Sequence, residues 1–125
     1  MARGRMIAAT VADDKRFNEL PIDAALVYLM AIPQLDRDGL ILGEPAVLWG
    51  TACRRRSDLL PRMVDIIAAW VSSGLVISYK TDDGDTILYF TGFQKNQAMT
   101  HYDREAESRF PCPPNYVRTP KGLVP

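Results

Sequence analysis

The chain is poor in the residues that most chemistry needs. It has one histidine, His101, and two cysteines, Cys53 and Cys112. Those cysteines lie far apart, without metal-ligand spacing and without the even, dense pattern of a disulfide framework, so reduced thiols are expected. No glycine-rich stretch has the spacing of a phosphate-binding loop. Charge of one sign is also missing: 15 Lys plus Arg face 15 Asp plus Glu, for a formal net charge of zero. Whole-chain charge therefore gives no argument for nucleic acid or a membrane, and any basic surface must be local. Long apolar runs are absent too. The most apolar windows are interrupted by Pro33 or Asp65, and none approaches the roughly 20 residues of a membrane span. The opening "MARGRMIAAT" lacks the apolar core of a signal peptide. These absences predict a soluble cytoplasmic protein, with no membrane contact, no metal and no cofactor. Asp103, Glu105 and Glu107 fall in a charged, proline-rich stretch rather than on a rigid scaffold, and the reading is that the chain is not an enzyme.

What is present is ordinary globular material. At 125 residues and 47% hydrophobic, the chain is expected to make one domain with a modest core. "ADDKRFNELP" predicts a short helix capped by Asp13, with Phe17 and Leu20 on one face and Pro21 ending it. "PIDAALVYLMAIPQL" predicts a core helix capped by Asp23, carrying Leu26, Leu29 and Met30 and stopping near Pro33. Asp38-Gly39 signals a turn before a short extended run, Leu40 to Leu42. Pro45 suits the first position of a short helix running to about Cys53. The clearest helix is "SDLLPRMVDIIAAWVSSGL", with Met63, Ile67, Trp70 and Val71 as its apolar stripe and Gly74 as its stop. Two β-rich runs, Leu75 to Lys80 and Thr86 to Phe90, flank Asp83-Gly84 and read as a hairpin. From about Ala98 the chain turns polar and proline-rich, which predicts an extended tail without a core. The final "LVP" matches the start of a common protease-cleavage linker and is given no functional weight.

A lone strand cannot form a sheet, so Leu40 to Leu42 is expected beside the hairpin in a small three-stranded antiparallel sheet. The resulting order is that of an α+β winged helix, a helix-turn-helix followed by a β-hairpin wing. On this reading residues 1–97 form the domain, with an N-terminal helical extension, and 98–125 form the tail. Leu60 to Ser73 is the candidate recognition helix.

Just before that helix stands "TACRRRSDLLP". From Gly50 to Ile66 the bases are Arg54, Arg55, Arg56 and Arg62 and the acids are Asp58 and Asp65, a local balance of +2. Arginine suits phosphate because its planar fork donates paired hydrogen bonds and stays charged. The competing reading is a solvated turn. Arg3 and Arg5 make a second small patch, either an arm that reaches DNA or a loose end. The wing argues the other way. Lys80 faces Asp82, Asp83 and Asp85, a local balance of −2, and an acidic tip repels phosphate. Trp49, Trp70, Tyr79, Tyr89 and Phe90 offer base-stacking surfaces, but their spacing favours core packing, least clearly for Trp49. "DRD" at Asp36 to Asp38 carries two carboxylates that could hold a metal; a turn is the simpler reading.

Four stretches carry a family resemblance by their order and spacing: "MARGRMI", "LDRDGLILGEP", "GLVISYKTDDGDTILYFTGFQKNQ" and "DREAESRFPCPP". Together they resemble the N-terminal winged-helix domain of phage replisome organiser, or replication-initiation, proteins of the DnaD-like group. That family usually has a His-Gln pair after the wing, and this chain has Asn96 at the His position. The resemblance implies a part in starting replication on a phage or prophage genome, through binding of origin-like double-stranded DNA, through homo-oligomerisation, or both. It also implies partners such as a helicase or its loader. A protein-interaction module without DNA contact and a phage transcription regulator are alternatives on the same fold. The self-association expected here places contacts in residues 6 to 20 and in the tail near Phe110.

Overall fold

The computed structural model describes residues 4–93 and 105–125. The described residues fold as an α+β domain with four α-helices, a three-stranded antiparallel sheet and a separate two-stranded ladder. A 3-10 turn, Ala9–Asp13, leads into α1, Lys15–Asn18. The cap of α1 is Asp14 rather than Asp13: its carboxylate accepts from the amides of Arg16 and Phe17 at 2.9 and 3.2 Å. Helix α2 spans Ile22–Ala31, capped by Pro21 with Asp23 inside its first turn rather than at the cap, and passes into a 3-10 turn over Ile32–Gln34, where Pro33 ends the regular pattern. Its buried stripe is Ala24, Val27 and Ala31, with the larger Leu26 and Met30 half-buried around it. Small residues on that stripe let α4 approach closely.

Strand β1, Leu40–Leu42, follows a tight turn. Gly39 sits there at a φ of 82°, and a Cβ at that position would lie 2.7 Å from Phe93; only glycine meets both demands. Helix α3 is Pro45–Ala52, with proline at its start as expected. The long helical segment divides in two. Ser57–Arg62 is 3-10, with Pro61 inside it, and α4 runs over Met63–Ser73. Gly74, at a φ of 83°, ends α4 in the left-handed conformation. Met63, Ile66 and Trp70 are the buried face of α4, while Val71 is exposed, so the stripe sits one position away from the expected Ile67 and Val71.

Strands β2, Val76–Lys80, and β3, Thr86–Phe90, form the hairpin, and β1 pairs with β3 to give the order β1-β3-β2. Tyr89 faces Leu40 on one side and Ile77 on the other. One face of this sheet packs on the helices through Ile41, Val76, Leu88 and Phe90. Trp70 is fully buried there, donates its indole N–H to the Ala24 carbonyl at 2.8 Å, and meets Phe90 and Tyr28 edge-on.

The other face overturns the expectation of a coreless tail. Residues 105–125 lie across it, with β4, Val117–Thr119, paired to β5, Gly122–Val124. Leu123, inside the stretch read as a linker-like end, is buried against Leu40, Tyr79, Ile87 and Tyr89, with Phe110 and Tyr116 alongside. A tail this polar docks because a few apolar side chains fill the sheet face while charged ones pair with partners on the body.

Among the described residues, no helix is long and apolar enough to cross a membrane.

Candidate nucleic-acid interface

The arginine run occupies a fixed turn. Cys53 closes α3 by donating its amide to the Trp49 carbonyl at 2.9 Å, and the Arg56 amide donates to the Cys53 carbonyl at 2.8 Å. That bond makes Arg54 and Arg55 the two central residues of a four-residue turn. The Arg56 carbonyl accepts twice, from the Leu59 amide at 3.0 Å and from the Trp49 indole N–H at 2.9 Å. Trp49 is thus neither a plain core residue nor a free stacking surface: it lies under the turn and pins it to α3. Arg54 and Arg55 are both exposed, and neither side chain forms an ion pair or hydrogen bond with the described residues.

The other arginines proposed for this surface are engaged. Arg56 makes a forked contact with Asp58, Nε to Oδ1 at 3.1 Å and a terminal nitrogen to Oδ2 at 2.9 Å. That hydrogen bond holds the Asp58 carboxyl below its ordinary range and raises Arg56. Arg62 reaches back to Asp23 on α2 at 3.0 Å and forward to Asp65 in the first turn of α4 at 2.9 Å; its pKa is raised, chiefly by the bond to Asp23. Asp58 and Asp65 lie within three residues of their partners and were readable as such from sequence. Asp23 is on another helix, and only the packing of α2 on α4 brings it to Arg62.

The second basic patch is not a free arm. Arg5 is turned inward, its side chain 4% exposed, and it grips Glu105 with two nitrogens at 2.7 Å each. Its guanidinium also donates to the Leu35 carbonyl and lies 5.1 Å from the Phe93 ring centre. Such a group joins the N-terminal segment to the tail and, in this arrangement, offers no fork to a phosphate. Arg3, His101 and Asn96 lie outside the described residues.

The "DRD" segment is a turn, and also the tail's anchor. One Asp36 oxygen accepts from the amides of Asp38 and Leu40 at 2.9 and 3.0 Å. The other accepts from the Ser108 hydroxyl at 2.5 Å. Burial is the main influence on the Asp36 carboxyl and pushes its pKa up. Asp38, fully buried, pairs with Arg118 at 2.8 Å. Among the described residues no group of three His, Cys, Asp or Glu side chains is placed to hold a metal.

The outward face of α4 is largely apolar. Val64 is 64% exposed, and Leu60 and Val71 are each 41% exposed. With Ala68 they fall at i, i+4, i+8 and i+11 along one side of the segment. The hairpin tip, Asp82, Asp83 and Asp85, is exposed and acidic.

No family model, no curated protein and no solved structure matches this chain.

Proposed function

We propose that this chain is a winged-helix module of a phage-type DNA replication initiation protein, which binds duplex DNA through phosphate contacts and assembles with protein partners. Support for the winged-helix reading is the succession of α3, a turn, α4 and the β2–β3 hairpin, with β1 completing the sheet. One observation carries the DNA reading: two exposed guanidiniums, Arg54 and Arg55, project from a turn that Trp49 and the Cys53 carbonyl hold in place. A pinned turn costs little ordering entropy when a phosphate docks. The contact is electrostatic and sequence-independent, so binding is weak and salt-dependent.

Sequence alone supported four phosphate contacts and a log–log salt slope of about −3.6. With Arg56 and Arg62 engaged by carboxylates, two contacts remain, and the slope falls to about −1.8. The test is a fluorescence-anisotropy titration of random duplex from low to physiological salt. Arg54→Ala with Arg55→Ala is expected to remove most of the slope, and an unchanged slope rejects the site.

A second reading, a protein-interaction surface on α4, is favoured by Leu60, Val64 and Val71 facing outward. A helix that reads a major groove presents polar donors and acceptors to base edges, and this face has few. On this reading a second copy is the partner. Light scattering at micromolar concentration then gives a mass above 14.0 kDa, and Val64→Asp lowers it. A wild-type monomer rejects assembly.

A further inference from the structure

The N-terminal segment closes over a cavity. None of residues 4–13 is buried, and the side-chain amide of Asn18 fixes the end of the segment by donating to the Val11 and Asp14 carbonyls at 2.8 and 2.9 Å. Between this segment, α1, α2 and the end of β3 lies a partly open cavity of about 140 Å³. Four aromatic rings line it, Phe17, Tyr28, Phe90 and Phe93. Tyr28 meets Phe17 edge-on at 5.7 Å and lies 5.0 Å from Phe90, centre to centre. Its hydroxyl makes no hydrogen bond with the described residues. Burial pushes that phenol up to about 12, so at neutral pH it is a proton donor in want of an acceptor. Arg16 lines the same cavity, and its charge acts on the Tyr28 hydroxyl. The Arg16 guanidinium is half exposed and loosely held, 3.4 Å from the Gly74 carbonyl and 3.5 Å from Asp14. The facing Asp14 carboxylate is occupied as the cap of α1, where it accepts from the amides of Arg16 and Phe17.

We propose that this cavity is a binding site for a small aromatic carboxylate, with one ring seated among Phe17, Tyr28 and Phe90 and the carboxylate accepting from the Tyr28 hydroxyl and pairing with Arg16. Three features select that chemistry. Volume limits the occupant: an apolar cavity of roughly 150 Å³ takes a single benzene-sized ring. The aromatic walls favour a planar guest, because rings gain from edge-to-face and offset contacts beyond the area they bury. A phenol donor beside a loosely held guanidinium favours an anionic acceptor, since a charge-assisted hydrogen bond is about twice as strong as a neutral one. An apolar lining with a few convergent polar groups is the usual make-up of a small-molecule site. The proposal is independent of DNA binding and of assembly, and it gives the N-terminal segment the task of roofing a ligand.

The test is a titration of the full chain with benzoate, and separately with benzamide, which has the same shape and no charge. Chemical shifts of the protein's aromatic and methyl groups report where each probe binds. Benzoate is expected to give saturable shifts at Phe17, Tyr28, Leu29 and Phe90, and benzamide to bind about tenfold more weakly. Arg16→Gln and Tyr28→Phe are each expected to weaken benzoate about tenfold, while Arg16→Gln leaves benzamide unchanged. Arg16 is half exposed and Tyr28→Phe keeps the ring, so both variants are expected to fold, and the same spectra show whether they do. Absence of saturable shifts at these residues up to about 10 mM benzoate overturns the site. Equal binding of the two probes, or benzoate binding unchanged in either variant, overturns the carboxylate assignment.

Discussion

The two faces of the β1-β3-β2 sheet are closed in different ways. The face toward the helices is sealed by side-chain volume: Val76, Leu88 and Phe90 meet Ala24, Ile66 and Trp70, and the Trp70 indole N–H finds the one carbonyl it needs. The opposite face is sealed by a segment that is mostly polar, through a few apolar plugs and a set of ion pairs and hydrogen bonds. The first kind of closure is apolar and continuous. The second relies on pairs such as Arg118–Asp38, in which one partner is fully buried and the other a third exposed. A helix-backed sheet face gives a domain its stability, and a face closed by paired charges can be opened.

The largest expected effect breaks the helix-backed face. Trp70→Ala removes a fully buried indole and is expected to cost about 3–5 kcal/mol, seen as a large fall in melting temperature or as failure to fold. A variant that melts within a few degrees of wild type would place Trp70 outside the core.

On the polar-anchored face the effect is smaller and more local. Arg118→Ala removes a charged hydrogen-bond partner of Asp38 and is expected to cost about 1.5–3 kcal/mol. Hydrogen exchange should accelerate in Val117–Val124 while the amides of α4 stay protected. Equal acceleration in both would mean that the two faces form a single cooperative unit.

Alkali acts on both faces. Burial pushes Tyr28, on the helix side, up to about 12, and raises Tyr79 and Tyr89 on the tail side. The folded state then keeps phenolic protons that the unfolded state loses from about pH 10. Stability is full below that pH and declines as pH rises toward the folded values. Tyrosinate absorbance followed with melting should show a late-ionising group of tyrosines, lost together with structure. Complete ionisation near pH 10 in a folded protein would contradict the burial.

Most of the fold was legible in the sequence, and the reasons are local. Asp83-Gly84 between β-rich runs marks the hairpin, Gly74 stops α4, and Pro45 starts α3. The cap shifted by one because Asp13 and Asp14 are adjacent carboxylates; in the α4 stripe Met63 and Trp70 are buried as expected, while Ile66 is buried in place of Ile67 and Val71 is exposed. The docked tail was missed, although "TILYF" held a signal. Four consecutive buried residues, Ile87 to Phe90, require cover on both faces of a strand, and the helices supply only one. The candidate site was legible in residue type alone. Charge counting over Gly50 to Ile66 could not show that Asp23 arrives from α2 to occupy Arg62, or that Arg5 faces inward.

The smallest effect on stability attends the most consequential surface. Arg54 and Arg55 are exposed and without a partner among the described residues, so replacing them should change stability by no more than about 0.5 kcal/mol. The measurement that tests the account most directly compares them with their engaged neighbours in duplex binding. The log–log salt slope is taken for wild type, for Arg54→Ala with Arg55→Ala, and for Arg56→Ala with Arg62→Ala. The account predicts a slope of about −1.8 for wild type, nearly lost in the first variant and nearly kept in the second. A slope lost with Arg56 and Arg62 but kept without Arg54 and Arg55 would contradict it.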